Sequence, residues 1–267
     1  MVAKVRLDKL LVEKGYFESR EKAQEAIEKG LVLLPGKAIL KPSTLVDRDA
    51  PIIIQAKPKY VSRGGYKLEK ALEYWCINVS GLDCMDIGSS TGGFVDCLLQ
   101  HGAARVIAID VGRAQLHEKL ANDPRVIVLD GVNARYLKPE DLPFLPDFAT
   151  CDVSFISIKK IFPALKACFK PETEAVFLIK PQFEAGRKHV KKGLVNDAEV
   201  HRQLLNDFRQ YFELHGFFVD FVASPITGTK GNIEYLCYLT GKRENLEKTL
   251  PIDKIVAAAF NQFKKQK

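Results

Sequence analysis

From residue 82 to residue 239, short continuous apolar runs alternate with longer stretches in which apolar residues recur every three or four positions. The runs at 82–88, 106–110, 126–129, 148–152, 175–180, 217–224 and 233–239 have the length and composition of strands buried on both faces. Between them, 66–75, 159–169 and 197–215 carry the spacing of amphipathic helices, and the run from Phe94 to Leu99 predicts another. This alternation predicts an α/β unit on a mostly parallel sheet with helices on both faces. The first 60 residues read differently. Arg6-Leu7-Asp8-Lys9-Leu10-Leu11-Val12-Glu13-Lys14-Gly15 is an amphipathic helix closed by glycine, and Ser19 is placed to cap a second over 20–29, ended by Gly30. Residues 31–34, the Pro35-Gly36-Lys37 turn and 38–54 predict short strands.

The chain therefore divides into a small α+β domain at 1–60, a basic Pro- and Gly-flanked linker ending in 61–66, a large domain at 67–245 and a tail at 246–267, whose 252–263 is an amphipathic helix. No run approaches the roughly 20 apolar residues a membrane helix needs, and the first residues lack a signal-peptide core, so a cytoplasmic protein is expected. The cysteines (Cys76, Cys84, Cys97, Cys151, Cys168, Cys237) sit among apolar neighbours with no C-x-x-C, and the histidines show no ligand spacing. Buried thiols are expected rather than disulfides, and no metal. A net charge of +7 points toward a polyanionic partner.

The chemistry concentrates in Met85-Asp86-Ile87-Gly88-Ser89-Ser90-Thr91-Gly92-Gly93-Phe94, a strand, a tight turn and a helix start. Glycines there admit a ligand close to the backbone, and the helix start offers unpaired N–H groups. Asp110 ends the next strand, where an acid can accept both hydroxyls of a ribose. The spacing is not G-x-G-x-x-G, and Asp86 precedes the first glycine. A carboxylate there repels a pyrophosphate and attracts the amino group or sulfonium of S-adenosylmethionine, the expected cofactor. Asp130, ending the third strand, is a candidate for the adenine end, and Asn133 beyond it is a further expected cofactor contact.

Ligands of open parallel sheets lie beyond the carboxyl ends of the strands, where Asp152 and Lys180 stand on neighbouring strands. A lysine ending an apolar strand needs a carboxylate, and Asp152 is the evident partner. Glu234 opens the last strand and Lys67 follows Ser62-Arg63-Gly64-Gly65-Tyr66. By themselves these residues are equally compatible with ion pairs that hold strands together.

Two resemblances sharpen this. Arg-Leu-Asp-Lys-Leu, Ser-Arg-x-x-Ala, x-Gly-x-Val, Gly-Lys and Lys-Pro-Ser across residues 5–57 resemble the S4 RNA-binding domain. That likeness implies phosphate contacts from Arg6, Lys9, Arg20 and Lys22. From Ser62-Arg63-Gly64-Gly65-Tyr66-Lys67 onward the chain resembles the FtsJ-like ribose 2′-O-methyltransferases, whose Lys-Asp-Lys-Glu tetrad matches Lys67, Asp152, Lys180 and Glu234. With Asp-Gly-x-Asn-Ala-Arg and Ile-Lys-Pro-Gln-Phe-Glu, the combination resembles the TlyA family, labelled both haemolysins and rRNA methyltransferases. The resemblance implies a Rossmann-like class I methyltransferase sheet after the S4-like domain, 2′-O-methylation of cytidine, and ribosomal RNA or ribosomal subunits as partner.

The expected division of labour makes Lys180 the base, Asp152 and Glu234 its orienters, and Lys67 a donor to the substrate ribose or phosphate. Asp86 and Gly88 would lie at the methionine end of the cofactor, and Ser89, Ser90, Gly92, Gly93 and Phe94 are expected to bind it too. Arg63 and the basic loop with Arg187 and Lys188 are further candidates for RNA contact. A membrane-active cytolysin and a non-catalytic RNA-binding assembly factor are the rival readings.

Overall fold

The computed structural model describes residues 4–28, 31–35, 40–54, 59–242 and 251–264. Its two compact units are Met1–Lys59 and Tyr60–Lys267.

The first unit contains β1 (Val5–Arg6), α1 (Leu7–Glu13), α2 (Arg20–Glu28), β2 (Val32–Leu33), β3 (Leu45–Val46) and β4 (Ile53–Ile54). Strand β1 pairs antiparallel with β3, and β2 with β4. Leu7, Leu10 and Leu11 of α1 close against Ala23, Ala26 and Ile27 of α2, with Leu31, Val32 and Val46 completing the core. Ser19 Oγ accepts the Lys22 N–H at 3.3 Å, the cap expected for α2. Gly30 and the Gly36-Lys37 part of the predicted turn lie outside the described residues.

The second unit begins with α3 (Gly64–Tyr74), β5 (Asp83–Ile87), α4 (Gly93–Gln100), β6 (Arg105–Asp110), α5 (Glu118–Ala121) and β7 (Val126–Asp130). It continues with β8 (Phe148–Cys151), α6 (Ile158–Ala167), β9 (Glu174–Ile179), α7 (Pro181–Glu184) and α8 (Ala198–Leu214), then β10 (Phe218–Ala223), β11 (Tyr235–Thr240) and α9 (Ile252–Lys264). Each strand and helix expected here forms, with ends within about two residues of the pattern.

The seven strands lie in the order β10-β11-β9-β8-β5-β6-β7. From β9 through β7 all neighbours are parallel, while β11 inserts antiparallel between β9 and β10. Alternate residues feed two cores. Cys84, Val106, Phe148, Val176 and Leu236 face α3 and α4 with Leu68, Leu72, Phe94 and Leu98. Met85, Ile107, Ala149, Phe177 and Tyr235 face Phe162 of α6, Leu205, Phe208 and Phe212 of α8, and Val256 of α9. Continuous apolar runs follow from this two-sided burial.

Two boundaries differ from the sequence reading. Residues 61–66 are not a linker: Gly64, Gly65 and Tyr66 form the first turn of α3. A Cβ on Gly65 would come within 2.2 Å of the buried Tyr60 ring, so this segment is packed core. Gly-Gly served close packing here rather than flexibility. The tail is likewise part of the large unit, because Ile252, Ile255, Val256, Ala259 and Phe263 of α9 join its core.

Candidate active site

The order of the sheet reverses at β5, which is flanked by β6 on one side and β8 on the other. Chain leaves β5 and β8 in opposite lateral directions at such a point, opening a crevice beyond their carboxyl ends. Gly88, with φ +79°, lies where a Cβ would meet the Asp152 carbonyl at 2.6 Å, so the loops after β5 and β8 touch through it. A Cβ on Gly93, at the start of α4, would stand 2.9 Å from the Gly65 nitrogen. The N-terminal ends of α3 and α4 therefore meet backbone to backbone at the rim.

Two adjoining cavities fill the crevice. One, of about 290 Å³, is lined by Ser62, Arg63, Lys67, Asp86, Ser89, Gly93, Phe94 and Lys180 among others. The second, of about 430 Å³, is lined by Asp110, Val111, Gln115, Val132, Asn133 and Phe155. Gly88, Ser90, Asp152 and Ser154 line both.

Asp86 is 1% exposed on the floor of the first cavity. Strand register sets Thr150 beside it, and the Thr150 hydroxyl donates to Oδ1 at 2.7 Å. Oδ2 has no donor among the described residues. Burial pushes this carboxyl up to about 7, against the Thr150 hydrogen bond and helped by Asp152 and Asp110. A buried, half-satisfied carboxylate is poised to receive a cationic donor. Asp110 accepts the Ser90 N–H on Oδ2 at 2.8 Å and the Gly112 N–H on Oδ1 at 2.7 Å, which leaves each oxygen able to accept once more.

Asp130 departs from expectation. It is exposed, its Oδ2 takes the Ala114 N–H at 2.7 Å, and it does not line the cleft. Its role here is to hold the loop after β6. Asn133, the further cofactor contact expected beyond Asp130, does line the cavity.

The four residues of the tetrad gather as two ion pairs. Lys180 Nζ stands 2.6 Å from Asp152 Oδ1 and donates to Ser154 Oγ at 2.9 Å. Lys67 Nζ donates to Glu234 Oε2 at 2.6 Å, and both side chains are buried. Glu234 is therefore not an orienter of Lys180, as the sequence suggested. It serves Lys67, which α3 carries across 167 residues of sequence to the start of β11. A Cβ on Gly228 would lie 1.9 Å from Glu234 Oε1, so the carboxylate fills space that only glycine leaves.

Several contributors had no role assigned to them from the sequence. Thr150, Ser154, Ser62 and Gln182, whose Nε2 donates to Glu234 Oε1 at 3.4 Å, become visible only through strand register and loop packing.

The RNA candidates are dispersed. Arg63 lines the first cavity, while Arg187 and Lys188 are exposed on the loop after α7. In the first unit, Arg6 and Arg20 converge on the fully buried Asp8. Arg6 donates through Nε and Nη2 at 3.0 and 2.9 Å, Arg20 through Nη2 at 2.9 Å, and Gln24 at 2.8 Å. Both guanidinium groups stay about half exposed, held by one carboxylate and facing outward. Lys9 lies 3.9 Å from Glu13, and Lys22 pairs with Glu18.

The family model of FtsJ-like methyltransferases matches residues 60–240. The chain belongs to that family. The S4 domain model matches residues 5–52, so the FtsJ-like domain starts at the same Tyr60 that opens the second unit. This FtsJ-like chain is 42% identical over 243 residues to the Mycobacterium tuberculosis 16S/23S rRNA (cytidine-2′-O)-methyltransferase TlyA, covering 90% of this chain and 91% of that protein. It is 45% identical over 272 residues to YqxC of Bacillus subtilis, provisionally named an rRNA methyltransferase, covering 99% and 97%. A solved chain from Streptococcus thermophilus, provisionally named a haemolysin, superposes with a TM-score of 0.76 at 40% identity, covering 100% and 99%. With its S4 match as well, the chain is a TlyA-type FtsJ-like methyltransferase. Its described residues include no helix long and apolar enough to cross a membrane.

The site fits the methyl donor of this family. Asp86 Oδ2 lacks a donor, as an acceptor for the ammonium of S-adenosylmethionine would, and Asp110 retains capacity for two ribose hydroxyls.

Proposed function

We propose that this chain transfers a methyl group from S-adenosylmethionine to the ribose 2′-OH of cytidine in ribosomal RNA, and does so in the cytoplasm. The observation that carries this reading is that Lys67, held by Glu234, and Lys180, held by Asp152, line one cavity floored by Asp86. The S4 match and the TlyA relatives support the substrate class.

The donor, when bound, supplies an electrophilic methyl group on a sulfonium sulfur. Asp86 would hold its ammonium and Asp110 its ribose, while Val111 and Val132 would offer apolar contacts to the adenine. A ribose 2′-OH is a weak nucleophile, so its proton must leave as the new O–C bond forms. Lys180 is the group placed to take that proton. Asp152 at 2.6 Å stabilises the ammonium so produced, and Ser154 fixes its direction. Lys67, held by Glu234, donates to an oxygen of the bound nucleotide. Much of the acceleration would come from alignment, because residues that hold both reactants in place remove the entropy of bringing them together.

Incubation with methyl-labelled donor and ribosomal subunits lacking ribose methylation tests the reading. Label mapping to the 2′-oxygen of a cytidine is the expected result. Label on a base, on protein, or nowhere would overturn it.

A further inference from the structure

A third hollow lies beyond Lys180 and has no part in the chemistry above. It measures about 700 Å³ and is lined by Arg135, Phe155, Lys160, Gln182, Phe183 and Arg187 among others. Phe155 is 88% exposed and adopts φ +65°, a conformation bulky side chains avoid. Its ring centroid lies 4.9 Å from that of Phe183. A phenyl ring left so exposed on strained backbone gains little from burial, and such strain concentrates at ligand clamps. The pair suits a planar ring, and the surrounding cations suit phosphate.

Gln182 gives this hollow a chemical preference. It follows Lys180 by two residues, and its Nε2 donates to Glu234 Oε1 at 3.4 Å. A carboxylate accepts and does not donate, so it turns the NH₂ of the amide toward itself and leaves the carbonyl oxygen for something else. That oxygen is shielded from solvent and has no donor among the described residues. A desolvated acceptor in that state calls for an explanation, and a ligand that brings the donor supplies one.

We propose that the hollow receives the base of the target nucleotide and that Gln182 Oε1 accepts from the 4-amino group of cytosine. Gln182 thereby selects cytidine over uridine. Uracil presents a carbonyl at the same position, setting acceptor against acceptor. The base packs against Phe155 and Phe183, and Arg135, Lys160 and Arg187 meet neighbouring phosphates. Phe155 lines both this hollow and the cofactor cleft, so a ribose at Lys180 and a base at Gln182 belong to one nucleotide. The proposal rests on the ribose-methylation reading above.

The test uses the full chain and ribosomal RNA whose methylated cytidine is replaced by uridine or by 2-pyrimidinone, which lacks the 4-amino group. Wild-type kcat/KM should fall by about 10- to 100-fold or more on both replacements. Gln182→Leu should lose a similar factor on cytidine while treating all three bases alike, with S-adenosylmethionine affinity and melting temperature unchanged. Equal losses on every base would make Gln182 merely structural and overturn the proposal. A wild-type enzyme indifferent to the base would overturn it too, leaving ribose methylation intact. Absence of 2′-O-methylation on every RNA would overturn both readings together.

Discussion

Burial holds the Asp86 carboxyl near 7, so a ligand that brings a positive charge must first find it ionised. Below about pH 7 the empty site keeps its proton, and binding an ammonium then requires losing it. Affinity for S-adenosylmethionine should fall by up to about tenfold per pH unit below 7 and level off above. Calorimetry from pH 5.5 to 8.5 checks this, and a flat profile would place the amino group elsewhere. Asp86→Asn should bind weakly at every pH. Stability moves the opposite way. The native state retains this proton while the unfolded chain, near the usual carboxylate range, releases it. The ligand-free protein should therefore lose stability from this group as pH rises from about 4 to 7.

Lys180 offers a sharper discrimination. Lys180→Ala should abolish methylation and leave cofactor binding intact, since Asp86 and Asp110 do not depend on it. Lys180→Arg should also fail, because guanidinium is effectively never neutral, although it can still pair with Asp152. Turnover restored by arginine would make position 180 an electrostatic clamp and move the base elsewhere.

Helices α3 and α4 meet through glycine on both sides, and this contact sets the distance between Lys67 and the cofactor loop. Gly93→Ala would drive a methyl group toward Ser62 Oγ and the Gly65 nitrogen, and backbone cannot rotate away as a side chain can. The variant should lose about 1–3 kcal/mol of stability in denaturant unfolding and bind S-adenosylmethionine more weakly. Unchanged affinity would show that the helix crossing does not shape the cofactor site. Strand order and helix spacing were legible here because burial on two faces writes continuous apolar runs and burial on one writes the 3.6-residue stripe. The Gly64-Gly65 start of α3 was not legible. A glycine pair reads the same whether it frees a linker or admits a neighbouring helix, and Tyr60 and Gly93 decide which.

The molecule as a whole carries a net charge of +7, and its S4 domain presents two arginines on one buried acid. Hydrogen bonds from Arg6, then from Arg20 and Gln24, hold the Asp8 carboxyl far below the usual carboxylate range despite its burial. Its contribution to stability is complete above about pH 4 and disappears as pH falls below that, when the carboxylate begins to protonate. Replacing Arg6 and Arg20 together with alanine should weaken RNA binding and reduce the slope of log K against log salt by up to about 2. Filter binding over a salt series measures it. An unchanged slope would remove both arginines from the interface.

The sequence by itself determined the order of elements, the turn after β5, and the four charged residues that end up in one cleft. These are local properties, written in periodicity, in glycine spacing and in the ends of apolar runs. Tertiary structure decided the pairing. Lys67 finds Glu234 and Lys180 finds Asp152 because strand register and the reach of α3 set which ammonium meets which carboxylate. The same register puts Thr150 on Asp86, and the loop after β6 draws Asp130 away from the cleft it was expected to line. Partner choice among like charges depends on distances across the sheet, and no pattern along one strand contains those.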